Sequence, residues 1–557
     1  MGDIGRVLNT TKEAILSHLT ALNVTGSNVA NVNTPGYSRL RPAFGSIGVI
    51  GSSTNDVQLG VKIVEIERLY DKYLEVQLVQ QEQDTGNNQA RMDLLNNVEG
   101  IFNESTGGGI NDLLSQFWGA WSQLSSNPSG TAERDNLVSI SQSLASMFSQ
   151  KANDLINIQS DTNAAISDSV TELNKYLDEM VDLNNKVVQT EISGGSAASS
   201  RDQRAELLRK ISQIIDVNYY EESNGSLNIF ISNGKSLVEG TNVWKLDVKT
   251  NPENSNYYDI VFEDTPDEAI NERLTSGKLA GMLDVRDTKI SGYLNDLDQM
   301  ASTIVTNVNT QHRSGYDLNK NIGGDFFSPA RIESPVVASG NTYAATVAAD
   351  GTYTGTTNKT YTVKIVTGGA LGAATYKVSS DGGTTWGAVQ TIPVGGTITP
   401  GDGINLTFPP DTFATNDVFS VKAGCFAKDM QVNSTIVDDA GKIAASATVN
   451  NGDGDNAGSI NAIKDSLLMG GGISSIDNFY QSLVASVGND VADAKRILDH
   501  QTAVMNQLES QKEAVSGVSI DEEMLNLIKY QAGYNAAARM CGVVNQMMDV
   551  LINLGKE

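Results

Sequence analysis

Residues 517–552 read GVSIDEEMLNLIKYQAGYNAAARMCGVVNQMMDVLI, and the spacing of their apolar side chains is the strongest fold signal in the chain. Alternating steps of four and three residues from position 520 lead to these apolar positions: Ile520, Met524, Leu527, Tyr534, Ala538, Cys541, Met548 and Ile552. Such a stripe predicts a helix that pairs with another helix along a coiled-coil seam. Ser519 can cap the first turn of this helix, where Asp521, Glu522 and Glu523 favour the positive end of its dipole.

The beginning of the chain carries a second stripe on the same period. Its apolar seam positions are Leu8, Ile15, Leu19, Leu22 and Val29. The stripe ends in the sequence NVANVNTPGY, whose motif residues are Asn28, Asn31, Asn33, Thr34, Pro35, Gly36 and Tyr37. The proline and the glycine fit the two central positions of a type II turn, and the asparagines can hydrogen-bond the backbone where the helix unwinds. We therefore predict a terminal coiled-coil domain of residues 1–60 and 515–557, in which the two end helices can pair.

The middle of the chain favours long helices. Only Pro128 interrupts residues 43–251, and no proline follows Pro410. Because proline breaks helices, such stretches permit helices of unusual length. Apolar stripes at helical spacing run through 155–187, 283–308 and 483–508. We predict a discontinuous helical domain of residues 61–330 and 425–514.

Two regions read as β structure instead. Residues 217–263 contain short runs of alternating or continuous β-formers, and they predict a small β excursion from the helical domain. Residues 331–424 are rich in Thr, Gly and Val and poor in charge, which predicts an inserted β-sandwich-like domain. The predicted fold is multidomain and mainly α, with paired terminal coiled-coil helices, a discontinuous bundle of long helices and inserted all-β domains.

Composition narrows the possible functions. The 557 residues include 39 Lys and Arg against 66 Asp and Glu, for a net charge of −27. A polyanion would be repelled, so we expect no nucleic acid partner. The longest apolar runs are too short to span a bilayer, so we expect no membrane partner. The first 20 residues lack a basic segment followed by an apolar one, so we expect no cleavable signal peptide.

Catalytic and ligand motifs fail on particular residues. The sequence around Lys235 and Ser236 resembles the end of a phosphate-binding loop, but Ile229 stands where that loop requires glycine. A calcium loop beginning at Asp453 would need a glutamate where Lys464 stands. The three histidines lie on separate predicted helices far from either cysteine, so a surface or satisfied-core role is expected for each. We therefore expect no catalytic residue, metal or cofactor, and no enzymatic activity.

Both chain ends resemble one family. The motif at residues 28–37 is similar to the one near the start of bacterial flagellar axial proteins of the rod, hook and junction. The D-E-E, Y-Q-x-x-Y and A-A-A-R elements between residues 521 and 539 resemble the C-terminal helix of those proteins, and most of all their junction members. These motifs cover only about 60 residues, but they lie at opposite ends in the right order. Cys541 departs from the pattern, and we interpret it as a small buried hydrophobe.

The resemblance implies a function. It implies a structural subunit that forms the junction between flagellar hook and filament by helical polymerisation through its terminal helices. The implied partners are further copies of the chain, the hook protein, a second junction protein and a cytoplasmic export chaperone on the C-terminal helix. The implied location is the extracellular flagellum, reached by export without cleavage. The alternatives are another axial protein, such as a hook-like one, and a secreted adhesin-like surface protein.

Overall fold

The computed structural model describes residues 2–46, 49–50, 57–58, 60–104, 108–232, 234–338, 340–355 and 357–554. Parts of the predicted terminal domain, among them 51–56 and 555–557, lie outside these residues. The helices are α1 Gly2–Ala30, α2 Lys72–Phe102, α3 Ile110–Ser126, α4 Thr131–Ile192, α5 Ala198–Ile214, α6 Gly277–Leu283, α7 Ser291–His312, α8 Ser434–Asp438, α9 Asp455–Asn461, α10 Ile476–Ser516 and α11 Ile520–Leu554. A π-helical segment, Asp284–Ile290, joins α6 to α7. No helix in the described part of the chain is long and apolar enough to cross a membrane.

Long helices form the scaffold, and each predicted stripe falls within one or two of them. The first stripe lies in α4, the second in the continuous stretch from α6 to α7, and the third in α10. Asp71 begins α2 by accepting hydrogen bonds from the backbone N–H groups of Tyr73 and Leu74, at 2.8 and 3.2 Å. One core extends from the end of α2 through α3, α4 and α7 to the start of α10, and a second joins α5 and the middle of α4 to nearby strands. The predicted fold class, mainly α with β insertions, is confirmed.

A β-hairpin lies between α1 and α2. Its strands are β1 Leu40–Ser46, β2 Val49–Ile50, β3 Val57–Gln58 and β4 Val61–Arg68. Antiparallel pairing joins β1 to β4, from Leu40 opposite Arg68 to Ser46 opposite Val61, and β2 to β3. The hairpin packs against α1. It crosses residue 60, where the sequence places the end of the terminal domain, so that boundary falls inside a paired element.

The β excursion is two small sheets. Its strands are β5 Val217–Glu221, β6 Leu227–Ile231, β7 Ser236–Glu239, β8 Asn242–Val243, β9 Leu246–Asn251, β10 Tyr257–Phe262 and β11 Thr265–Ala269. The first four strands form a sheet in sequence order, and the last three form a second sheet with β10 in the centre. A side chain of α4 holds the second sheet in place. The Asn174 side chain donates a hydrogen bond to the Leu246 carbonyl at 2.7 Å and accepts one from the Leu246 N–H at 3.0 Å.

The inserted β region forms sheets around its own aromatic core. Its strands are β12 Arg331–Ile332, β13 Val336–Val337, β14 Ala348–Gly351, β15 Lys359–Thr367, β16 Gly369–Ala370, β17 Thr375–Ser379, β18 Gln390–Thr391, β19 Thr397–Gly401, β20 Ile404–Thr407, β21 Thr412–Phe413 and β22 Val418–Gly424. The largest sheet has the order β12-β22-β15-β17-β18, and β14-β20-β19 form another. The rings of Tyr343, Phe408, Phe413 and Phe419 pack together in the core.

The insert leaves and rejoins the helical domain at one place. Arg331 pairs with Gly424 across β12 and β22, so the outgoing and returning chains lie side by side. The Asn358 side chain accepts a hydrogen bond from the Cys425 N–H at 2.8 Å and donates to the Asp298 carbonyl on α7 at 3.2 Å. The Asp298 carboxylate accepts from the Ala427 N–H at 2.7 Å. The joint is therefore a set of specific hydrogen bonds.

Candidate assembly site at the chain ends

The turn after α1 has the geometry that its sequence predicts. The Thr34 carbonyl accepts a hydrogen bond from the Tyr37 N–H at 3.2 Å, and Gly36 has a φ of 76°. A side chain at that φ would be strained, which explains the glycine. Asn31 supports the turn by donating to the Ser27 carbonyl at 2.9 Å. The next motif residues, Asn33, Thr34 and Pro35, are exposed.

Asn28 is the centre of the site. Its side-chain oxygen accepts hydrogen bonds from the Leu40 N–H at 3.0 Å and the Tyr37 hydroxyl at 2.9 Å. Its amide nitrogen donates to the Leu40 carbonyl at 2.9 Å and to a carboxylate oxygen of Glu523 at 3.1 Å. Asn28 is 1% exposed, and these four bonds use its full hydrogen-bonding capacity. One motif residue thus joins the end of α1, the start of β1 and the first turn of α11.

Arg39 makes the second link between the two chain ends. Its guanidinium donates to Glu523 at 2.8 Å through Nε and to Glu522 at 2.6 Å. Burial disfavours the charged guanidinium, but these two bonds outweigh that effect and raise the pKa of Arg39. The Arg39 N–H also donates to the carbonyl of Ser516 at 2.9 Å. The acidic start of α11 therefore binds a specific arginine as well as favouring the helix dipole.

Asp202 on α5 ties this region to the helical domain. Its carboxylate accepts from the Ser38 N–H at 3.0 Å and from Nε of Arg68 at 2.5 Å. We call Asn28, Tyr37, Arg39, Arg68, Asp202 and Glu523 the neck cluster. The sequence identifies two of these six residues, Asn28 and Tyr37. Glu523 was interpreted only as a helix-dipole residue, and nothing near Arg39, Arg68 or Asp202 in sequence indicates that they meet.

The two terminal helices pack antiparallel, because Asn28 meets Glu523 and His18 meets residues 530–533. A Cβ on Gly533 would lie 2.5 Å from Cε1 of His18, so the imidazole lies directly on the bare backbone of α11. The rings of Phe44 and Tyr530 flank it, with centroids 5.8 and 6.5 Å from that of His18. Burial lowers the pKa of His18, which keeps the ring neutral in this apolar contact at neutral pH.

The predicted seam residues divide between two environments. Half-buried ones are Leu8, Ile15, Leu22, Val29, Leu527, Tyr534, Cys541 and Met548, and exposed ones are Leu19, Ile520, Met524, Ala538 and Ile552. The deepest positions on the two helices are neighbours of these, including Ala21, Val24, Thr25, Tyr530 and Val544. The residues through which α1 packs on α11 within one chain are therefore shifted by about one position from the predicted stripe on each helix. Small residues occupy much of it, since they let the backbones approach.

The outer face of α11 is apolar and exposed. Its large side chains are Ile520, Met524, Leu525, Ile528, Met540, Val543, Met547, Val550, Leu551 and Ile552. They lie in two groups on the 35-residue helix, at residues 520–528 and 540–552, which together span about 50 Å at 1.5 Å per residue. Scattered exposed hydrophobes are ordinary, but two such groups on one helix are typical of a surface that binds protein. The chemistry of this face suits association with another protein surface. Among the described residues no group of His, Cys, Asp and Glu could hold a metal ion.

Comparison with known proteins finds similar sequences along the whole chain. Three family models match: "Flagellar hook-associated protein FlgK helical domain" over residues 95–327, "Flagellar basal body rod FlgEFG protein C-terminal" over 511–554 and "Flagella basal body rod protein" over 8–37. Hook-associated protein 1 of Escherichia coli K12 is 28% identical, covering 98% of this chain and 99% of its own length. That of Bacillus subtilis is 26% identical, covering 98% and 97%.

A solved structure supports the fold. The flagellar hook junction protein FlgK from Burkholderia pseudomallei superposes with a TM-score of 0.64 at 18% identity, covering 79% of this chain and 100% of that one. The terminal models and the paired end helices define the class: this is a flagellar axial protein. With the helical-domain model and the near full-length relatives added, the chain is similar over almost its whole length to flagellar hook-associated protein 1.

Proposed function

We propose that this chain is a structural subunit of the junction between flagellar hook and filament, and that it polymerises through its terminal helices. The observation that carries the proposal is the exposed apolar face of α11 beside an internally satisfied neck cluster. The neck cluster fixes the helix pair to the rest of the chain, while the outer face lacks a covering element within the described residues. Neighbouring subunits would cover it.

The energetics favour such a role. Ten large apolar side chains on α11 are each about half exposed. Covering the remainder of each contributes about 1 kcal/mol, so the whole face contributes on the order of 10 kcal/mol. A contact between different faces of identical subunits repeats without closing on itself, which produces a helical array. The partners we propose are further copies of the chain, the hook protein on one side and a second junction protein on the other.

The experiment is complementation of a null strain. We expect the null strain to build hooks but to release unpolymerised filament protein into the medium. The wild-type chain should restore filaments, and the double variant Leu525→Asp, Ile528→Asp should not, because it places charge in the outer face. Asn535→Asp, an exposed change on the same helix, is the control and should restore filaments. Filaments on the null strain itself would contradict the proposed function.

The same outer face is our proposed site for a cytoplasmic export chaperone. An exposed apolar helix is an aggregation hazard before assembly, and an amphipathic helix laid in a groove is a common form of recognition. Co-purification of the chaperone should be lost with the Leu525→Asp, Ile528→Asp variant and kept with Asn535→Asp. Equal recovery with both variants would place the chaperone elsewhere.

We further propose that the exported, extracellular protein keeps its first 30 residues. The argument is structural: removing residues 1–30 would delete α1 and with it Asn28, the centre of the neck cluster. Mass spectrometry of protein from sheared flagella should find an N-terminus at Met1 or Gly2. An N-terminus between residues 20 and 30 would contradict export without cleavage.

A further inference from the structure

An exposed apolar loop precedes α10. Residues 466–475 read SLLMGGGISS, and three successive glycines, Gly470–Gly472, have φ values of 60°, 78° and 93°. Met469 anchors the loop: its side chain is buried, and its carbonyl accepts from the N–H groups of Gly472 and Ile473, both at 3.1 Å. The side chains held outward are Leu467, Leu468 and Ile473, of which Ile473 is 79% exposed. We call residues 466–475 the apolar knob.

A second unexplained apolar surface lies where the hairpin meets the helical domain. It is a cleft of about 850 Å³ between β4, the start of α2, and the α5–β5 region. Its exposed apolar lining consists of Val64, Tyr70, Val76 and Tyr220. Three tyrosines and three arginines also line it, beside four glutamates, and tyrosine and arginine are enriched among the residues that carry binding energy at protein interfaces. We call this surface the hairpin cleft.

Charge singles out these two surfaces as places where copies of the chain can meet. The chain carries −27, so most of its surface repels another copy. The hairpin cleft is lined by as many cations as anions: Arg68, Lys72, Arg201 and Arg204 against Glu65, Glu75, Glu191 and Glu221. The apolar knob contains no charged residue. Contact between knob and cleft therefore avoids the repulsion that opposes other pairings.

The two surfaces lie at opposite ends of α2. Lys72, the first residue of α2, lines the hairpin cleft. At the other end, the Tyr480 hydroxyl in the first turns of α10 donates to Glu104, two residues beyond α2. The knob directly precedes that part of α10. The 31 residues of α2 span about 46 Å, so knob and cleft are separated along the long axis of the helical domain.

We infer that the apolar knob of one copy inserts into the hairpin cleft of the next, which makes a head-to-tail contact outside the terminal helices. The contact is heterologous, as an open helical array requires, and the backbone conformation of the glycines serves to present the knob. This inference rests on the proposed function, because it supplies a second contact for the same polymer.

The test is a disulfide between two single-cysteine chains in the polymer. Both native cysteines are first replaced, by Cys425→Ala and Cys541→Ala. One chain then carries Tyr220→Cys in the cleft, and the other carries Ile473→Cys on the knob. A strain expressing both should yield flagella in which mild oxidation gives a crosslinked dimer. Val449→Cys, on a separate loop and 53% exposed, replaces the knob cysteine in the control and should give no dimer.

A second variant tests the energetics. Ile473→Asp should be incorporated into flagella about tenfold less than wild type when the two chains compete, the effect of losing one central interface side chain. Val449→Asp should compete equally with wild type. If both cysteine chains enter flagella without a dimer, or if Ile473→Asp competes equally, the inference is wrong and the proposed function stands. If neither cysteine chain nor wild type enters flagella, the proposed function fails and the inference fails with it.

Discussion

At the scale of single residues, the chain ends depend on buried polar groups that have complete sets of partners. Asn28 uses every donor and acceptor of its side chain, and one partner, Glu523, is 495 positions away. Burying an amide and a carboxylate is unfavourable unless each is hydrogen-bonded, so the pair specifies one arrangement of α1 against α11. Asn33 in the same motif is exposed and has no such role in this chain.

Replacing Asn28 with alanine should release the chain ends. Asn28→Ala removes the hydrogen-bond partner of buried polar atoms on Glu523, Tyr37 and the Leu40 backbone. We expect this to lower the free energy of unfolding of the chain ends by about 3 kcal/mol. Hydrogen exchange should speed up at Leu40 and in the first turns of α11. Asn33→Ala, the matched control, should exchange as wild type does. Equal exchange in the two variants would mean that the Asn28 network does not hold the ends together.

His312 predicts a pH dependence in the helical core. Nδ1 of this buried ring donates to the Gly324 carbonyl at 2.7 Å, and Nε2 accepts from the Ala444 N–H at 2.8 Å. The bond from Ala444 requires the neutral ring, since a protonated Nε2 cannot accept, and burial lowers the pKa of His312 from 6.5 to about 4. As the pH falls, His312 is therefore protonated at a higher pH in the unfolded chain than in the folded one. Stability from this group is complete above pH 6.5 and declines toward pH 4 by about 3 kcal/mol.

The variant His312→Gln should lack that decline. Glutamine can donate and accept but does not titrate, so the difference in unfolding free energy between wild type and variant should shrink as the pH falls from 7 to 4.5. Urea denaturation at the two pH values measures it. His500→Gln on the exposed side of α10 is the control and should keep the wild-type slope. A constant difference across this range would show that His312 is not the titrating group.

At the scale of elements, α11 is a helix whose apolar residues lie on more than one face. The inner face packs on α1 through small residues and Tyr530, and the outer face carries ten exposed hydrophobes. Periodicity alone does not separate these faces, because stripes one residue apart are both apolar. Gly533 marks the inner face, since the backbone of α11 meets the His18 ring directly there.

Alanine at Gly533 should weaken the helix pair despite its better helix propensity. The new methyl group would lie within 3 Å of the His18 ring, so α1 and α11 must separate or the imidazole must move. Gly542→Ala on the same helix meets nothing within 4 Å and should stabilise α11 by about 1 kcal/mol. Hydrogen exchange of α1 and α11 should be faster in the first variant and slower in the second.

His18→Ala should rescue Gly533→Ala if the contact is direct. The double variant removes the ring that the methyl group meets, so its exchange rates should return toward those of His18→Ala alone. Additive effects of the two substitutions would mean that the helices pair elsewhere.

At the scale of the whole molecule, the β insert is attached through adjacent strands and has a separate core. Arg331 and Gly424 are paired, so a two- or three-residue Gly/Ser linker can replace residues 331–424 without moving the flanking chain. The aromatic core of the insert lies within these residues, and the helical cores lie outside them. The proposed domain boundaries at 330 and 425 follow this division.

Deleting the insert should leave motility largely intact. The neck cluster, the outer face of α11, the apolar knob and the hairpin cleft all lie outside residues 331–424. Swimming in soft agar and the number of filaments per cell measure the outcome. The control is a chain in which the same linker interrupts residue 100 of α2, which should abolish filaments. Normal export of the deletion protein without filaments would mean that the insert contributes to the junction.

The sequence alone determined the end helices, the helices that carry the three apolar stripes, the two β regions at 217–263 and 331–424 and the turn at Thr34–Tyr37, because period, proline and glycine act over a few residues. It did not predict the hairpin of β1–β4. It also carried the family motifs at both ends. It could not determine which side of α11 faces inward, since several of its faces are apolar and only the shape of α1 distinguishes them. Nor could it bring together Asn28, Asp202 and Glu523: a buried charge is stable only with a partner, and that partner is chosen by the tertiary fold.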